Sequence, residues 1–210
     1  MLRSLVGSEM CIRDRNNSTV PVITIDGPSG AGKGTVAQML ALDLNWNILD
    51  SGALYRTLAF FMNENDIPLE QFDENADEIK KMFKVSFDPG IPGEPVKVIF
   101  NKEDITSKIR TEEIAKITST LATEPKIREF IKPCQREFMI SPGLIADGRD
   151  MGTVIFADAK YKIFLTASIE ERAKRRQTQL KRHGLEVNMR SLLQELVERD
   201  KKDTERDILH

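Results

Sequence analysis

The 210-residue sequence has no apolar run near the roughly 18 residues needed to span a bilayer, and it has only two cysteines. Its longest apolar stretch, residues 58–62, is far too short for a span. Cys11 and Cys134 lie far apart and form no CxxC pattern, which argues against a disulfide framework and a zinc site. The 33 acidic residues against 31 Lys and Arg give a net charge of −2, which argues against a general nucleic-acid binder. We therefore expect a cytoplasmic protein with reduced thiols and with no membrane or nucleic-acid partner.

The length indicates one domain, but the first 19 residues differ from the rest. Residues 1–19 have no helical or strand periodicity, and they lack the apolar core of a signal peptide. We expect these residues to form a disordered lead-in, for which an artefact of the gene model is one explanation. The folded domain is therefore assigned to residues 20–210.

Short apolar runs alternate with helical patterns through much of the chain. Four runs predict strands, at residues 20–26, 46–50, 144–147 and 162–165. This alternation indicates an α/β protein whose parallel sheet is covered by helices on both faces. Residues 84–88 and 96–100 alternate with period two around a Pro- and Gly-rich link, which predicts an inserted antiparallel hairpin. Further helices are expected at about 111–139, after Ser168, which has capping-box spacing, and at about 191–203.

A glycine-rich loop follows the first predicted strand and precedes the first predicted helix. Its members are Gly27, Pro28, Ser29, Gly30, Ala31, Gly32, Lys33, Gly34 and Thr35. Glycines let the backbone turn its N–H groups inward, and with the positive end of the helix these donors cradle phosphate oxygens. Lys33 can reach the outer phosphates as a mobile charge. The loop predicts a P-loop NTPase-type core that binds ATP, with Mg²⁺ held through the ATP phosphates and Thr35 as a candidate ligand, rather than a dedicated metal site.

Two arginines follow predicted strand ends, where ligands bind in parallel sheets. Arg56 comes after Asp50 and Ser51, and Arg149 lies beside Asp150. The loop alone can hold one nucleotide, so these arginines indicate a second phosphate group, which guanidinium binds through paired hydrogen bonds. An acceptor phosphate is already ionised and needs no general base, which agrees with a chain that has only two histidines. We also expect ligands in the C-terminal helices at Arg175, Arg176, Arg199 and Arg206.

At these residues the chain resembles the bacterial-type cytidylate kinases, from about Val20 to Arg206. Residues 27–35 are shared in part with adenylate kinases, whereas residues 49–56 and 145–154 look specific to cytidylate kinases. The resemblance implies direct in-line transfer of a phosphoryl group from ATP, with Mg²⁺, to CMP or dCMP.

The resemblance also implies a role for each candidate residue. The catalytic residues would be Lys33, Arg149, Arg175 and Arg176, of which the last two would close on the transferring phosphoryl group. The CMP site would comprise Asp50, Ser51, Arg56, Ser119, Arg128, Arg149, Asp150, Arg199, Asp203 and Arg206. Arg56 and Arg149 would hold the phosphate, and Ser119, Arg128 and Asp150 would read the cytosine. Arg199 and Asp203 would contact the sugar with Arg206 nearby, while Asp50 and Ser51 would line the site.

By the same resemblance, the core comprises residues 20–60 and 140–210. A small inserted domain of antiparallel strands and helices, at about 61–139, would close over CMP. A helical lid would lie at about 168–190. Family members continue past Arg206 with a further strand and helix. We therefore expect a chain truncated at its C-terminus, with an unpaired edge near residues 162–165, and a monomer. Three alternatives stay open: an adenylate- or shikimate-kinase-like enzyme, a nucleotide-binding regulatory module without turnover, and an inactive truncated fragment.

Overall fold

The computed structural model describes residues 20–91, 93–182 and 188–207. Within these ranges the strands are β1 (Val22–Asp26), β2 (Asn47–Asp50), β3 (Val85–Asp88), β4 (Lys97–Phe100), β5 (Glu103–Asp104), β6 (Leu144–Asp147) and β7 (Tyr161–Phe164). The α-helices are α1 (Lys33–Leu44), α2 (Ser51–Glu64), α3 (Phe72–Met82), α4 (Glu112–Leu121), α5 (Pro125–Arg136), α6 (Ile169–Arg182) and α7 (Met189–Asp207). In this part of the chain no helix is both long enough and apolar enough to cross a membrane.

A four-stranded parallel sheet in the order β2-β6-β1-β7 forms the core. One face carries Ile25 and Ile145, which pack in one apolar cluster with Ala37 of α1. The other face carries Leu49, which packs with Leu54 of α2 in a second, larger cluster. Because both faces are covered, the strands consist of nearly continuous apolar residues, and the α/β fold class expected from the sequence is confirmed.

The strand order brings the carboxyl ends of β1, β2 and β6 together at one end of the sheet. Asp147 at the end of β6 pairs in register with Asp50 at the end of β2 and with Ile25 of β1. Strand β7 lies at the outer edge next to β1, and its Tyr161 and Phe164 are exposed. The polar residues that follow β1, β2 and β6 therefore meet where parallel sheets bind ligands.

The inserted segment contains the antiparallel sheet β3-β4-β5, which confirms the predicted hairpin and adds a short third strand. Gln38 of α1 attaches the β3–β4 link to the core. Its buried amide Nε2 donates to the carbonyl oxygens of Ile91 and Glu94, both at 3.1 Å, and its Oε1 accepts from Gly93 N–H at 3.2 Å. The hairpin is therefore fastened to the helix that follows the glycine-rich loop.

The single helix predicted for residues 111–139 is wrong, because two helices occupy this segment. Helix α4 ends at Leu121, and α5 starts at Pro125 as its first residue. Proline suits the first turn of a helix, but it disfavours helical backbone in the residue before it, and Glu124 is extended with φ −83° and ψ 121°. The break separates two helices that each have buried apolar residues at helical spacing, Ile114 and Leu121 in α4 and Ile127 and Ile131 in α5.

Helix α6 begins where the capping-box spacing predicts. The hydroxyl of Ser168 accepts a hydrogen bond from the backbone N–H of Glu171 at 3.2 Å. The predicted lid extends to about residue 190, and residues 183–187 of it lie outside the described part of the chain.

Candidate active site

The glycine-rich loop joins the end of β1 to the start of α1, and its backbone requires glycine. Gly27, Gly30 and Gly32 have φ angles of 140°, 78° and 101°, a region that side-chain-bearing residues rarely adopt. A Cβ atom on Gly27 would lie 2.0 Å from the carbonyl oxygen of Leu165. The loop is thus held against the chain that leaves β7, with Gly32 at the N-terminus of α1.

Lys33 is the first residue of α1 and is buried, with 8% of its surface exposed. Its Nζ donates to the carbonyl oxygen of Pro28 at 3.1 Å and lies 3.9 Å from a carboxylate oxygen of Asp147. Burial lowers the pKa of Lys33 to about 8, although the charge of Asp147 acts in the opposite direction. Burial also raises the pKa of Asp147 to about 7, which the charge of Lys33 opposes. A phosphate at the loop would compete with Asp147 for this ammonium group.

Sequence reasoning misses Asp26, the last residue of β1. Its carboxylate accepts hydrogen bonds from the backbone N–H groups of Met151 at 2.9 Å and Gly152 at 2.8 Å. These residues open a π-helical turn, Met151–Ile155, directly after Arg149 and Asp150. Burial raises the pKa of Asp26, while the two hydrogen bonds act to lower it. An acidic residue that closes an otherwise apolar strand is the sequence signal that could have identified it.

Arg56 of α2 lies in a group of arginines. Burial, together with the charges of Arg199, Arg110 and Arg176, lowers its pKa to about 10, although the charge of Asp50 acts in the opposite direction. Like charges near a buried guanidinium repel one another, and an anionic ligand bound among them would relieve that repulsion. Arg110 is a second residue that the sequence motifs do not identify.

Arg149 connects the glycine-rich loop to α7. Its Nε donates to the carboxylate of Asp203 at 2.7 Å, and its Nη1 donates to the carbonyl oxygen of Gly27. Arg149 is therefore in contact with the predicted ATP-binding loop and with the helix that carries Arg199.

The residues predicted to read the base are brought together only in part. Arg128 of α5 donates to the carboxylate of Asp150 at 3.0 Å, and both side chains are partly buried. Ser119 lies on α4 with an exposed side chain, outside this ion pair.

Asp50 and Ser51 have contacts that do not depend on a ligand. Asp50 is the N-cap of α2, and its carboxylate accepts from the backbone N–H of Ala53 at 2.9 Å. The buried hydroxyl of Ser51 accepts from Nε2 of Gln135 at 2.8 Å. Gln135 is 1% exposed on α5, and sequence reasoning misses it because it stands in no motif.

The remaining predicted site residues lie on α1, α6 and α7. Arg175 and Arg176 of α6 are both exposed, and Arg175 donates from Nη1 to the carbonyl oxygen of Ala31 at 2.9 Å. Arg199 and Asp203 lie on α7, and Arg206 lies on the same helix with its side chain outside the described part. Thr35 is exposed in the first turn of α1.

No group of three His, Cys, Asp or Glu side chains in the described ranges is close enough to bind a metal ion. The oxygen donors at the loop include the hydroxyl of Thr35 and the carboxylate of Asp147, both of a type that Mg²⁺ accepts. The site can therefore contribute single ligands to an ion that a phosphate chain holds.

Comparisons with known proteins identify the family of this chain. The family model described as cytidylate kinase matches residues 23–210. The chain is 50% identical over 188 residues to the cytidylate kinase of Shewanella sp. strain W3-18-1, covering 90% of this chain and 81% of that protein. The cytidylate kinase of Shewanella frigidimarina is 50% identical over 186 residues, with coverage of 89% and 81%.

Among solved structures, TT1252 from Thermus thermophilus matches with a TM-score of 0.40 and 15% identity over 90% of this chain and 84% of that one. That likeness is too low to contribute to the assignment. The family predicted from the motifs is confirmed by the family model and the curated relatives, and the chain belongs to the cytidylate kinase family.

Proposed function

We propose that the protein transfers a phosphoryl group from ATP to CMP and dCMP, giving ADP and the corresponding diphosphate. Membership of the cytidylate kinase family supports this reaction. The geometric observation that carries it is the presence of two cationic centres, Lys33 at the phosphate loop and the arginine group around Arg56. Arg149 lies at the loop, in contact with α7, and so suits an exchange between two bound phosphates.

In this proposal catalysis comes from alignment and from charge neutralisation. Lys33 leaves Asp147 and binds the phosphates of ATP, while Arg149, Arg175 and Arg176 stabilise the charge on the transferring group. The acceptor phosphate attacks in line and is already ionised, so no side chain has to remove a proton. The loop residues Gly27, Pro28, Ser29, Gly30, Ala31, Gly32, Gly34 and Thr35 surround the ATP phosphates.

The ion pair between Arg128 and Asp150 supplies both kinds of group that cytosine requires. A carboxylate accepts from the exocyclic amino group of cytosine, and a guanidinium donates to its ring acceptors. Uracil has an oxygen in place of that amino group, and a carboxylate oxygen would repel it. Ser119 completes this set in the proposal, Arg56 and Arg149 hold the CMP phosphate, Arg199 and Asp203 contact the sugar with Arg206, and Asp50 and Ser51 line the site.

The proposal includes Mg²⁺ as a companion of ATP. The hydroxyl of Thr35 and the carboxylate of Asp147 are oxygen donors beside the loop, and they would contribute to an ion that the phosphates hold. The ion would neutralise phosphate charge during transfer. The segment at 61–139 is proposed as the CMP-binding insert and the segment at 168–190 as the lid, in a cytoplasmic monomer that acts on free nucleotides.

The test is a turnover panel in a coupled ADP-release assay with CMP, dCMP, UMP, AMP and shikimate as acceptors. We expect CMP and dCMP to be phosphorylated with the highest kcat/KM. Lys33→Ala provides the background, because losing one preorganised charge contact costs roughly 10²–10³ in turnover. Preference for AMP or shikimate would contradict the proposal in favour of another kinase, and nucleotide binding without turnover would favour a regulatory module or an inactive fragment.

A further inference from the structure

The carbonyl side of the phosphate loop is bound by arginines. Alternate residues of the loop accept hydrogen bonds as follows: Gly27 from Arg149, Ser29 from Arg172 at 3.2 Å, and Ala31 from Arg175 at 2.9 Å. Two of these arginines are proposed phosphate ligands, but Arg172 is in no motif. These arginine contacts use the carbonyl oxygens of the loop, so they do not occupy the backbone N–H groups that would bind phosphate.

Arg172 differs from the other two arginines in its burial and its partner. It is 4% exposed in the first turn of α6, and its Cβ would lie 3.3 Å from a Cβ atom placed on Gly30. Its two terminal nitrogens donate to both carboxylate oxygens of Asp200 on α7, at 2.9 and 2.5 Å. This paired geometry is the strongest and most directional that an arginine forms with a carboxylate.

Asp200 acts together with a second carboxylate of α7. Asp200 and Asp203 are three residues apart and so lie on one face of the helix. Asp203 binds Arg149, and Asp200 binds Arg172, while each of these arginines also donates to the phosphate loop. Helix α7 is therefore fastened to the loop at two points, next to Arg199, whose charge reaches Arg56.

The ion pair is largely removed from water, with 5% of the Arg172 side chain and 28% of the Asp200 side chain exposed, and such a pair is weak evidence for stability. Replacing a buried ion pair by apolar residues of similar volume is often neutral or stabilising. In addition, Nε of Arg172 is buried and has no hydrogen-bond partner among the described residues. An apolar pair would keep α6 and α7 in contact without burying an unpaired N–H group, but it could not donate a hydrogen bond to the carbonyl oxygen of Ser29.

We propose that Arg172 and Asp200 are positioning residues. Their ion pair holds α7 in contact with the phosphate loop, and it thereby fixes the distance between the loop and the acceptor-binding residues of α7. This inference rests on the proposed function. Neither residue touches a nucleotide in it, and both act through the loop backbone and the register of α7.

The experiment compares the unsubstituted protein with the apolar pair variant Arg172→Met/Asp200→Leu and with Asp200→Asn. Each protein is examined by thermal melting, by calorimetric titration with ATP alone, and by kcat and KM for ATP and CMP. We expect the pair variant to melt close to the unsubstituted protein but to lose about 10²-fold in kcat/KM, because small displacements at such sites have effects of this size. Its affinity for ATP should fall as well, with a smaller loss in Asp200→Asn. Asp73→Asn, which breaks the exposed ion pair between Asp73 and Lys126, is the matched control and should change nothing.

A well-folded pair variant with unchanged ATP affinity and unchanged kcat/KM would overturn the positioning role. Losses that only follow the unfolded fraction would also overturn it, because a merely structural contact predicts them. If the pair variant does not fold, Asp200→Asn decides at a temperature where it is folded, and an unchanged affinity for ATP there refutes the inference. Absence of CMP turnover in the unsubstituted protein counts against the proposed function instead, and the calorimetric comparison remains valid in that case.

Discussion

Replacing Lys33 by arginine should remove a loss of activity that we expect at alkaline pH. Burial lowers the pKa of Lys33 to about 8, and the protonated form is the one that binds phosphate in the proposed reaction. A lysine with a lowered pKa loses its charge as the pH rises through that value. Above pH 8, kcat/KM for ATP should therefore fall about tenfold for each pH unit. The second pKa of a phosphate monoester is near 6, so ionisation of the acceptor does not cause this loss.

The charged groups around Lys33 predict how a neighbouring substitution would shift its pKa. The charges of Asp147, Asp50 and Asp203 raise its pKa, whereas the charge of Arg149 lowers it. Asp147→Asn removes the largest of these charge effects and should move the alkaline loss to lower pH. In Lys33→Arg the guanidinium stays charged, so the alkaline loss should disappear, even if the plateau is lower because the group is larger.

The assay is kcat/KM for ATP from pH 7 to 10 at saturating CMP, with each protein checked for folding by circular dichroism at the extremes. Lys108→Arg is the control, because Lys108 is exposed and pairs with Glu103 away from the loop, and its profile should match that of the unsubstituted protein. The reasoning is refuted if the profile stays flat to pH 9.5. It is also refuted if the alkaline loss persists unchanged in Lys33→Arg, because another group would then be responsible.

Two further substitutions test the acceptor side of the site. Arg128→Ala breaks the ion pair with Asp150 and should raise KM for CMP about tenfold or more, with little change in KM for ATP; equal changes for both nucleotides would indicate a structural role. Asp26→Asn leaves one of the two backbone N–H groups that Asp26 binds without its carboxylate acceptor. It should lower the free energy of unfolding in urea by about 1–3 kcal/mol and raise KM for CMP through the displaced Arg149 turn, and an unchanged urea midpoint would contradict this.

The parallel core could be predicted from the sequence because its signals are local. Each strand is a short apolar run, and the glycine-rich loop fixes the order strand, loop, helix at the N-terminus of the domain. The break between α4 and α5 was missed for a local reason as well. Apolar residues recur at helical spacing on each side of it, from Ile114 to Leu121 and from Ile127 to Ile131, and the break itself is marked by a single residue, Pro125.

The residues of the candidate site differ in how far the sequence could identify them. Lys33, Arg56 and Arg149 stand in the loop or shortly after strand ends, and their positions in the chain are enough to nominate them. Ser119, Arg128 and Asp203 lie on helices and are nominated only by the family resemblance. Asp26, Gln135 and Arg172 act on partners that are 125, 84 and 28 residues away, and no local pattern records such pairs. Their burial as polar side chains is the feature that identifies them, and burial becomes known only with the fold.

Three of the proposed cationic ligands each lie next to a carboxylate. Lys33 lies near Asp147, Arg149 binds Asp203, and Arg128 binds Asp150. Nucleotide binding is then an exchange of partners, so its free energy is the difference between phosphate and carboxylate contacts rather than their sum. The carboxylates also explain how Lys33, Arg128 and Arg149 are held in place. A buried charge without a partner would cost far more free energy than one that is paired with a carboxylate.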